Sequence, residues 1–382
     1  MTDFHSTRKV FVTLTLVLTS LILGACGSSS DSDSPAGKAD PDAARAAMDK
    51  LLEGDGYSDP PTSGPKPEPG KEVWVLSCGQ TITNCSIAAD AAVEAAESLG
   101  WDATLYDTQF SPVRIAQGVR QAIAADADGI VTYLIDCSIA QQPLQEARDA
   151  GVKTSTAEAL QDCDEPLYDA VVSYGQGDYL EWLKGYGESQ AKTVAAGTDG
   201  AANTILLKVA DVPTAITNWK ANKRGLEECP GCSVAATVSF TNAEVGGPLK
   251  QKVQQALVQN PDANAIITPA DSYLSGGVLA ALRATGRLDD VYLGLGEGDP
   301  TTMDGLRNGE LTNGAGVGIP EAWEAYQAVD NLNRLFNGEG PKSSGIGLQA
   351  FDADTNVPES GAFDPTVDWR AGYEKLWGID GQ

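Results

Sequence analysis

Histidine is almost missing from this 382-residue chain, and its one copy, His5, stands five residues from the start. From there on, no Ser-His-Asp or Cys-His nucleophile can be assembled and no metal can be held by imidazole. Basic residues are also scarce: 26 Lys and Arg face 53 Asp and Glu, for a formal net charge of −27. So acidic a chain repels phosphate backbones, which excludes nucleic acid as a partner. Long apolar runs are lacking too. The one candidate, residues 10–23, is too short to span a bilayer comfortably. With histidine chemistry gone, paired carboxylates are the catalytic option left open. The hydrophobic content of 42% is ordinary for a globular protein. The length suits two domains.

The start of the chain has its own logic. Arg8 and Lys9 precede the apolar run, and small residues follow it. This is the layout of an export signal. The run ends Leu23-Gly24-Ala25-Cys26 and then turns to serines. That ending resembles the lipobox of bacterial lipoproteins. The resemblance implies that residues 1–25 are removed and that Cys26 carries lipid. The protein would then sit on the extracytoplasmic face of the cell membrane with the lipid as its anchor. A plain signal anchor with a chance cysteine is the alternative. Removing 1–25 takes away one acid and two bases, so the remaining chain is more acidic still.

Six cysteines remain besides Cys26. An even number in an exported chain suggests disulfides. Spacing favours Cys78–Cys85, Cys137–Cys163 and Cys229–Cys232. The last pair lies in Cys-Pro-Gly-Cys, which also has the look of a redox or zinc half-site. No second C-x-x-C accompanies it, and it falls between a helix and a following strand. It therefore reads as a structural clip, and neither a metal nor a cofactor is expected.

Residues 27–40 are polar and read as a flexible tether. Residues 41–54 read as a short helix, with Pro41 at its start and Gly54 at its end. Residues 59–71 are rich in Pro and Gly, and the folded body is expected to start near Glu72. Strands and helices then alternate. Strands are expected at 73–77, 103–107, 129–135, 153–157 and 169–173, with helices at 86–99, after the Ser111-Pro112 cap with Ile115, Val119 and Ile123 on one face, and at 138–150. The first of these helices places Ile87, Ala91, Ala95 and Leu99 on one face. The pattern starts again with helix 178–196. Strands at 204–210, 233–240, 264–269, 291–296 and 312–317 alternate with helices at 213–228, 247–260, about 271–285, 300–308 and 320–337. Two such sets imply an α/β protein with two doubly wound parallel sheets, each covered on both faces. Ligands of such sheets bind beyond the carboxyl ends of the strands.

At residues 94–136 a helix and a short strand lead to a turn, Asp107 to Pro112, and a helix runs into Ala127-Asp128-Gly129-Ile130. Residues 218–228, 258–287 and 291–325 continue in the same order. Over about 72–340 this resembles the type I periplasmic binding proteins, in particular the ribose-type sugar-binding proteins of ABC transporters. The resemblance implies two lobes joined by a three-segment hinge. It places 71–173 and 319–345 in the first lobe and 174–318 and 346–382 in the second, with 26–70 as a lipidated tether carrying a short helix. It also implies a monomer that closes on a small carbohydrate-like solute and delivers it to an ABC permease.

The family's cleft suggests a set of contacts. Gln80 and Thr81 lie in the loop after the first strand, which a Cys78–Cys85 bridge would hold rigid. Asp136 follows the third strand. Glu158 follows the fourth, where an acceptor-only carboxylate suits sugar hydroxyls. Arg224 matches a cleft arginine, whose fixed donors fit vicinal hydroxyls, and Phe240 matches a stacking aromatic. Asp271 and Glu297 complete the expected set. Ala270 stands where the family has asparagine and Gly318 where it often has glutamine, so two polar partners are lost. Trp182, Trp219, Trp323 and Trp369 are either cleft aromatics or helix packing, and packing between helices is expected. Three functions fit these residues. The first is solute capture for uptake, of a sugar or polyol or else a nucleoside or amino acid. The second is a secreted carboxylate enzyme using Asp136, Glu158 and Glu297. The third is a sensor that docks on a membrane receptor. The lobe pattern and the missing histidines favour capture without chemistry.

Overall fold

The computed structural model describes residues 38–175 and 177–380. The expected leader, Cys26 and most of the polar tether lie outside the described residues. None of the described helices is long and apolar enough to cross a membrane.

Helix α1 (Pro41–Glu53) is capped by Asp40, whose side chain accepts from the Ala43 N–H, and carries a proline in its first turn. It buries Met48 and Leu51 against Ala315 and Ala350. The chain then runs alongside the body. Trp101 Nε1 donates to the Glu68 carbonyl, and Asn333 and Arg334 donate to the carbonyls of Pro65 and Ser63. This corrects two expectations. The short helix is part of the folded body and not of the tether, and the body starts near residue 40 and not near Glu72. Periodicity marks an apolar stripe but not the surface, some 270 residues away, that covers it.

The first sheet contains β1 (Glu72–Ser77), β2 (Asp102–Asp107), β3 (Gly129–Tyr133), β4 (Lys153–Ala157) and β5 (Ala170–Val171). They lie in the order β2-β1-β3-β4-β5, and every neighbour is parallel. Side chains alternate across the sheet. Val73 and Val75 pack with the small residues of α2 (Thr83–Ser98), including Ala88, Ala92 and Ala95. Leu76 and Ile130 pack with Ile115 and Val119 of α3 (Pro112–Ala124) and Leu144 of α4 (Gln141–Ala150).

The second set opens with α5 (Tyr179–Gly197), followed by β6 (Asn203–Val209), α6 (Pro213–Glu228), β7 (Ser233–Phe240), α7 (Gly247–Gln259) and β8 (Ala265–Ile267). The next stretch begins as the single turn α8 (Asp271–Tyr273) and continues through a π-turn (Leu274–Val278) into α9 (Leu279–Thr285). Then come β9 (Tyr292–Gly294), α10 (Pro300–Arg307), β10 (Gly314–Gly318), α11 (Glu321–Phe336), β11 (Gln349–Asp352) and α12 (Trp369–Trp377). The second sheet runs β11-β10-β9-β8-β6-β7, parallel except for β11. Helices α7, α9 and α10 cover one face, and α5 and α6 cover the other.

Segments 172–178, 319–320 and 337–348 pass between the lobes, as do the stretches from α1 to β1 and from β11 to α12. The third lies between the first and the N-terminal segment. Gly175 N–H donates to the Ile346 carbonyl, while Asp55 and Leu348 exchange both backbone bonds. A Cβ on Gly347 would stand 2.2 Å from the Asp55 carbonyl oxygen, so only glycine fits this crossing. Strand β11 pairs with β10 of the second sheet, but α12, expected in the second lobe with it, packs elsewhere. Trp369, Tyr373 and Trp377 pack with the α11 residues Trp323, Tyr326 and Val329. Tyr373 Oη donates to Gln327, and Trp377 Nε1 donates to Asp330. The chain end thus returns to a helix of the first lobe, because α11 still has an apolar stripe to bury there.

The candidate ligand cleft

The carboxyl ends of both sets of strands face a cavity of about 400 Å³, a volume in the range of small-solute sites. The first lobe contributes Thr81 to Asn84, Phe110, Leu134 and Glu158. Phe110 (φ 50°), Leu134 (φ 55°) and Glu158 (φ 49°) each adopt the left-handed backbone just beyond β2, β3 and β4. Non-glycine residues hold that conformation at a cost, and only where the surroundings enforce it. Here part of the enforcement is covalent. Cys78–Cys85 joins the end of β1 to the first turn of α2, and Cys137–Cys163 joins the turns after β3 and β4. Cys229–Cys232 closes the turn between α6 and β7, away from the cavity. All three expected bridges are present.

The second lobe brings aromatic faces. Trp182 stacks between Tyr174 (4.5 Å) and Tyr186 (5.4 Å), and its Nε1 donates to the Gly347 carbonyl of the third crossing. Tyr179, Trp182 and Tyr186 line the cavity together with Tyr273. Trp182 therefore does more than the helix packing expected of it. Trp323 and Trp369 do pack, stacked at 6.1 Å, and Trp219 lies under the Lys208 ammonium.

The expected residues divide into three groups. Thr81, Glu158 and Glu297 line the cavity. Asp136 and Asp271 are buried behind it and shape it. Asp136 accepts from the Leu160 N–H, the Thr214 N–H and the Thr214 hydroxyl at 2.8, 3.1 and 2.6 Å, tying the first lobe to the start of α6. Burial pushes its carboxyl up to about 6. Asp271 accepts from the N–H groups of Gly296, Gly298 and Asp299 at 2.8, 2.6 and 2.9 Å. It thereby folds the loop that presents Glu297. Burial, and next the charge of Asp299, push it up to about 6.

Gln80, Arg224 and Phe240 fall outside the cavity. Gln80 uses its backbone N–H on Asp107. Arg224 pairs with Glu188 on the outer side of α5 and is half exposed. It lies eleven residues into α6, about 16 Å from the helix start that faces the cavity. Phe240 is fully buried and meets Tyr273 edge-on at 5.1 Å, so it supports a cavity aromatic without being one. The two missing polar partners have physical replacements. Ala270 itself lines the cavity. At Gly318 a Cβ would stand 2.2 Å from the Phe363 ring, which fills that space.

Sequence reasoning missed Tyr179, Trp182 and Tyr186, although their i, i+3, i+7 spacing marks one aromatic face of α5. It also missed Glu321 and Glu324 in the first turn of α11, 1% and 0% exposed. Burial pushes both well above the usual carboxylate range, and the nearby Glu158 charge pushes them further. Glu158 rises to about 7 through burial. Glu297 rises well above its ordinary value through burial and then through Glu158 and Glu321.

Solved structures share this architecture. A sugar ABC transporter protein from Yersinia enterocolitica is 17% identical, with a TM-score of 0.68 over 84% of this chain and all of that one. A solute-binding protein from Bacillus halodurans, solved with myo-inositol, is 21% identical, with a TM-score of 0.63 over 76% of this chain and 97% of its own. The 5-methylthioribose transporter solute-binding protein of Thermotoga lettingae is 17% identical, with a TM-score of 0.66 over 83% and 96%. No curated protein matches the sequence. The periplasmic binding protein domain matches residues 75–340. The chain belongs to the periplasmic binding protein family.

Proposed function

We propose that this protein is the lipid-anchored, extracytoplasmic solute receptor of an ABC transporter. Cys26 holds it beside its permease through the polar tether. It works as a monomer and captures a small hydroxylated solute, a sugar or polyol in size, without changing it chemically. The observation that carries this reading is the cavity itself, built from strand-end loops of two sheets. A solute that touches both lobes favours the closed arrangement by its differential affinity, which is what closure requires. The structures solved with myo-inositol and 5-methylthioribose support the size class. The carboxylate-enzyme reading is weaker, because Asp136 is consumed by Leu160 and Thr214.

The test uses the chain from residue 27 without lipid, with melting and solution scattering recorded against sugars, polyols, nucleosides and amino acids. A ligand at one hundred times its Kd adds about 2.7 kcal/mol to the folded state. A shift of several degrees with compaction is expected for one hydroxylated class. Release of a chemically altered product would overturn the reading.

A further inference from the structure

We propose that the cleft selects solutes carrying a protonated amine or quaternary ammonium on a hydroxylated frame, with Glu158 as the direct partner of the cation and Glu297 as the second. This deepens the solute-receptor reading and rests on it.

Three observations lead there. The cavity is lined by two carboxylates and several aromatic faces, and among the described residues no lysine, arginine or histidine lines it. Arg224, the one cation expected there, is on the outside with Glu188. Second, Glu158 is 2% exposed and lines the cavity, and its Oε1 makes no well-formed hydrogen bond, although Tyr133 and Glu324 lie close enough to offset part of the burial effect on its carboxyl. Third, further buried acids stand behind it. Glu321 Oε1 and Glu324 Oε2 also lack partners. None of Glu158, Glu297, Glu321 and Glu324 forms an ion pair among the described residues.

A buried carboxylate without a counter-charge is costly, and it either takes up a proton or acquires a cation. A neutral polyol offers the carboxylates O–H donors but leaves the excess charge in place. A protonated amine supplies both donors and charge, a quaternary ammonium supplies charge alone, and the Tyr179 and Tyr273 rings in the cavity wall attract either cation. Asn84, Asn218, Ser272 and Ser275 remain for the hydroxyls. The titratable groups around Glu158 are Tyr133 on β3, Tyr174 at the first crossing, Tyr179 and Tyr186 on α5, Glu297 after β9, and Glu321 and Glu324 on α11. All are acids, so binding a cation displaces protons held in the empty cleft.

The experiment is calorimetry at pH 7.5 on the chain from residue 27, with pairs matched in size: glucosamine and glucose, an aminoinositol and myo-inositol, choline and 3,3-dimethylbutanol. In at least one pair the amine is expected to bind about tenfold or more tighter, with proton release into the buffer. Glu158→Gln should abolish that preference, read as the ratio of the two affinities within each pair. Glu297→Gln should reduce the preference, and it serves as the second variant if Glu158→Gln lowers the melting temperature sharply. Neutral members that bind as well as or better than the amines in every pair would overturn the inference and leave solute capture standing. If no member of any pair, and no compound of the wider panel, binds, both readings fall.

Discussion

The two edges of the cleft are built by different means. On the first lobe the strand-end loops are cross-linked by Cys78–Cys85 and Cys137–Cys163 and carry three left-handed residues that face the cavity. On the second lobe no disulfide reaches the cavity among the described residues. There the loops are shaped by buried hydrogen bonds, above all the three that Asp271 accepts, and by a π-turn carrying Leu274 to Val278. A covalent clip fixes a loop before any ligand arrives and lowers the ordering cost of binding. A hydrogen-bonded loop can adjust, at the risk that one lost acceptor undoes it. The first lobe thus presents a preformed carboxylate, and the second presents a carboxylate whose position depends on another.

That contrast breaks most severely at Asp271. Asp271→Ala leaves the N–H groups of Gly296, Gly298 and Asp299 buried without an acceptor, at a cost of about 3–5 kcal/mol. Urea denaturation measures it, and a loss under about 1 kcal/mol would show that the loop is held by other means. Next in size are the disulfides. Replacing Cys78 and Cys85 with serine should cost about 2.5 kcal/mol of stability and also weaken solute binding. Replacing Cys229 and Cys232 should cost about 2 kcal/mol and leave affinity unchanged, because that bridge lies away from the cavity. Equal effects of the two pairs on affinity would erase the distinction drawn between the edges.

A smaller effect concerns pH. The carboxyls of Glu158, Asp136 and Asp271 titrate at about 7, 6 and 6 in the folded protein, above their unfolded values near 4. The folded state then binds more protons than the unfolded state, so stability falls as pH rises between about 4 and about 7. The empty protein should melt at a higher temperature at pH 5 than at pH 7.5. Melting temperatures that rise over that window would contradict the burial of these acids. The smallest effect is expected at Arg224. Its pair with Glu188 is partly exposed, so Arg224→Ala should change stability by about 0.5 kcal/mol or less. Solute affinity should stay within error in titration, and a large loss there would return Arg224 to the site.

How much of this was legible in the sequence varies by element. Helix α6 at 213–228 and strand β7 at 233–240 were read with their observed bounds. Pro213 opens the one, and Cys229-Pro230-Gly231-Cys232 separates it from the other. The stretch from strand 264–269 to Thr285-Gly286 read as a plain helix, whereas the chain passes through a π-turn in which Gly277 departs from helical geometry. The cleft was half legible. Thr81, Glu158 and Glu297 follow strands, and strand ends face the ligand in this architecture. Asp136 and Asp271 follow strands as well, but their acceptor atoms are used by backbone donors, which the sequence does not reveal.

Alternating apolar runs, proline starts and glycine stops were enough to specify two parallel sheets and their helices, because each signal is local, whereas spacing favoured the three disulfides without fixing them. Packing over long separations settled the rest. It put α1 against Ala315 and Ala350 and returned α12 to α11. It sent Arg224 outward, and it brought Glu158 and Glu297 to one cavity with no cation in its lining and with Glu321 and Glu324 buried near Glu158. Burial and electrostatic environment are sums over neighbours distant in the chain, so no local pattern carries them.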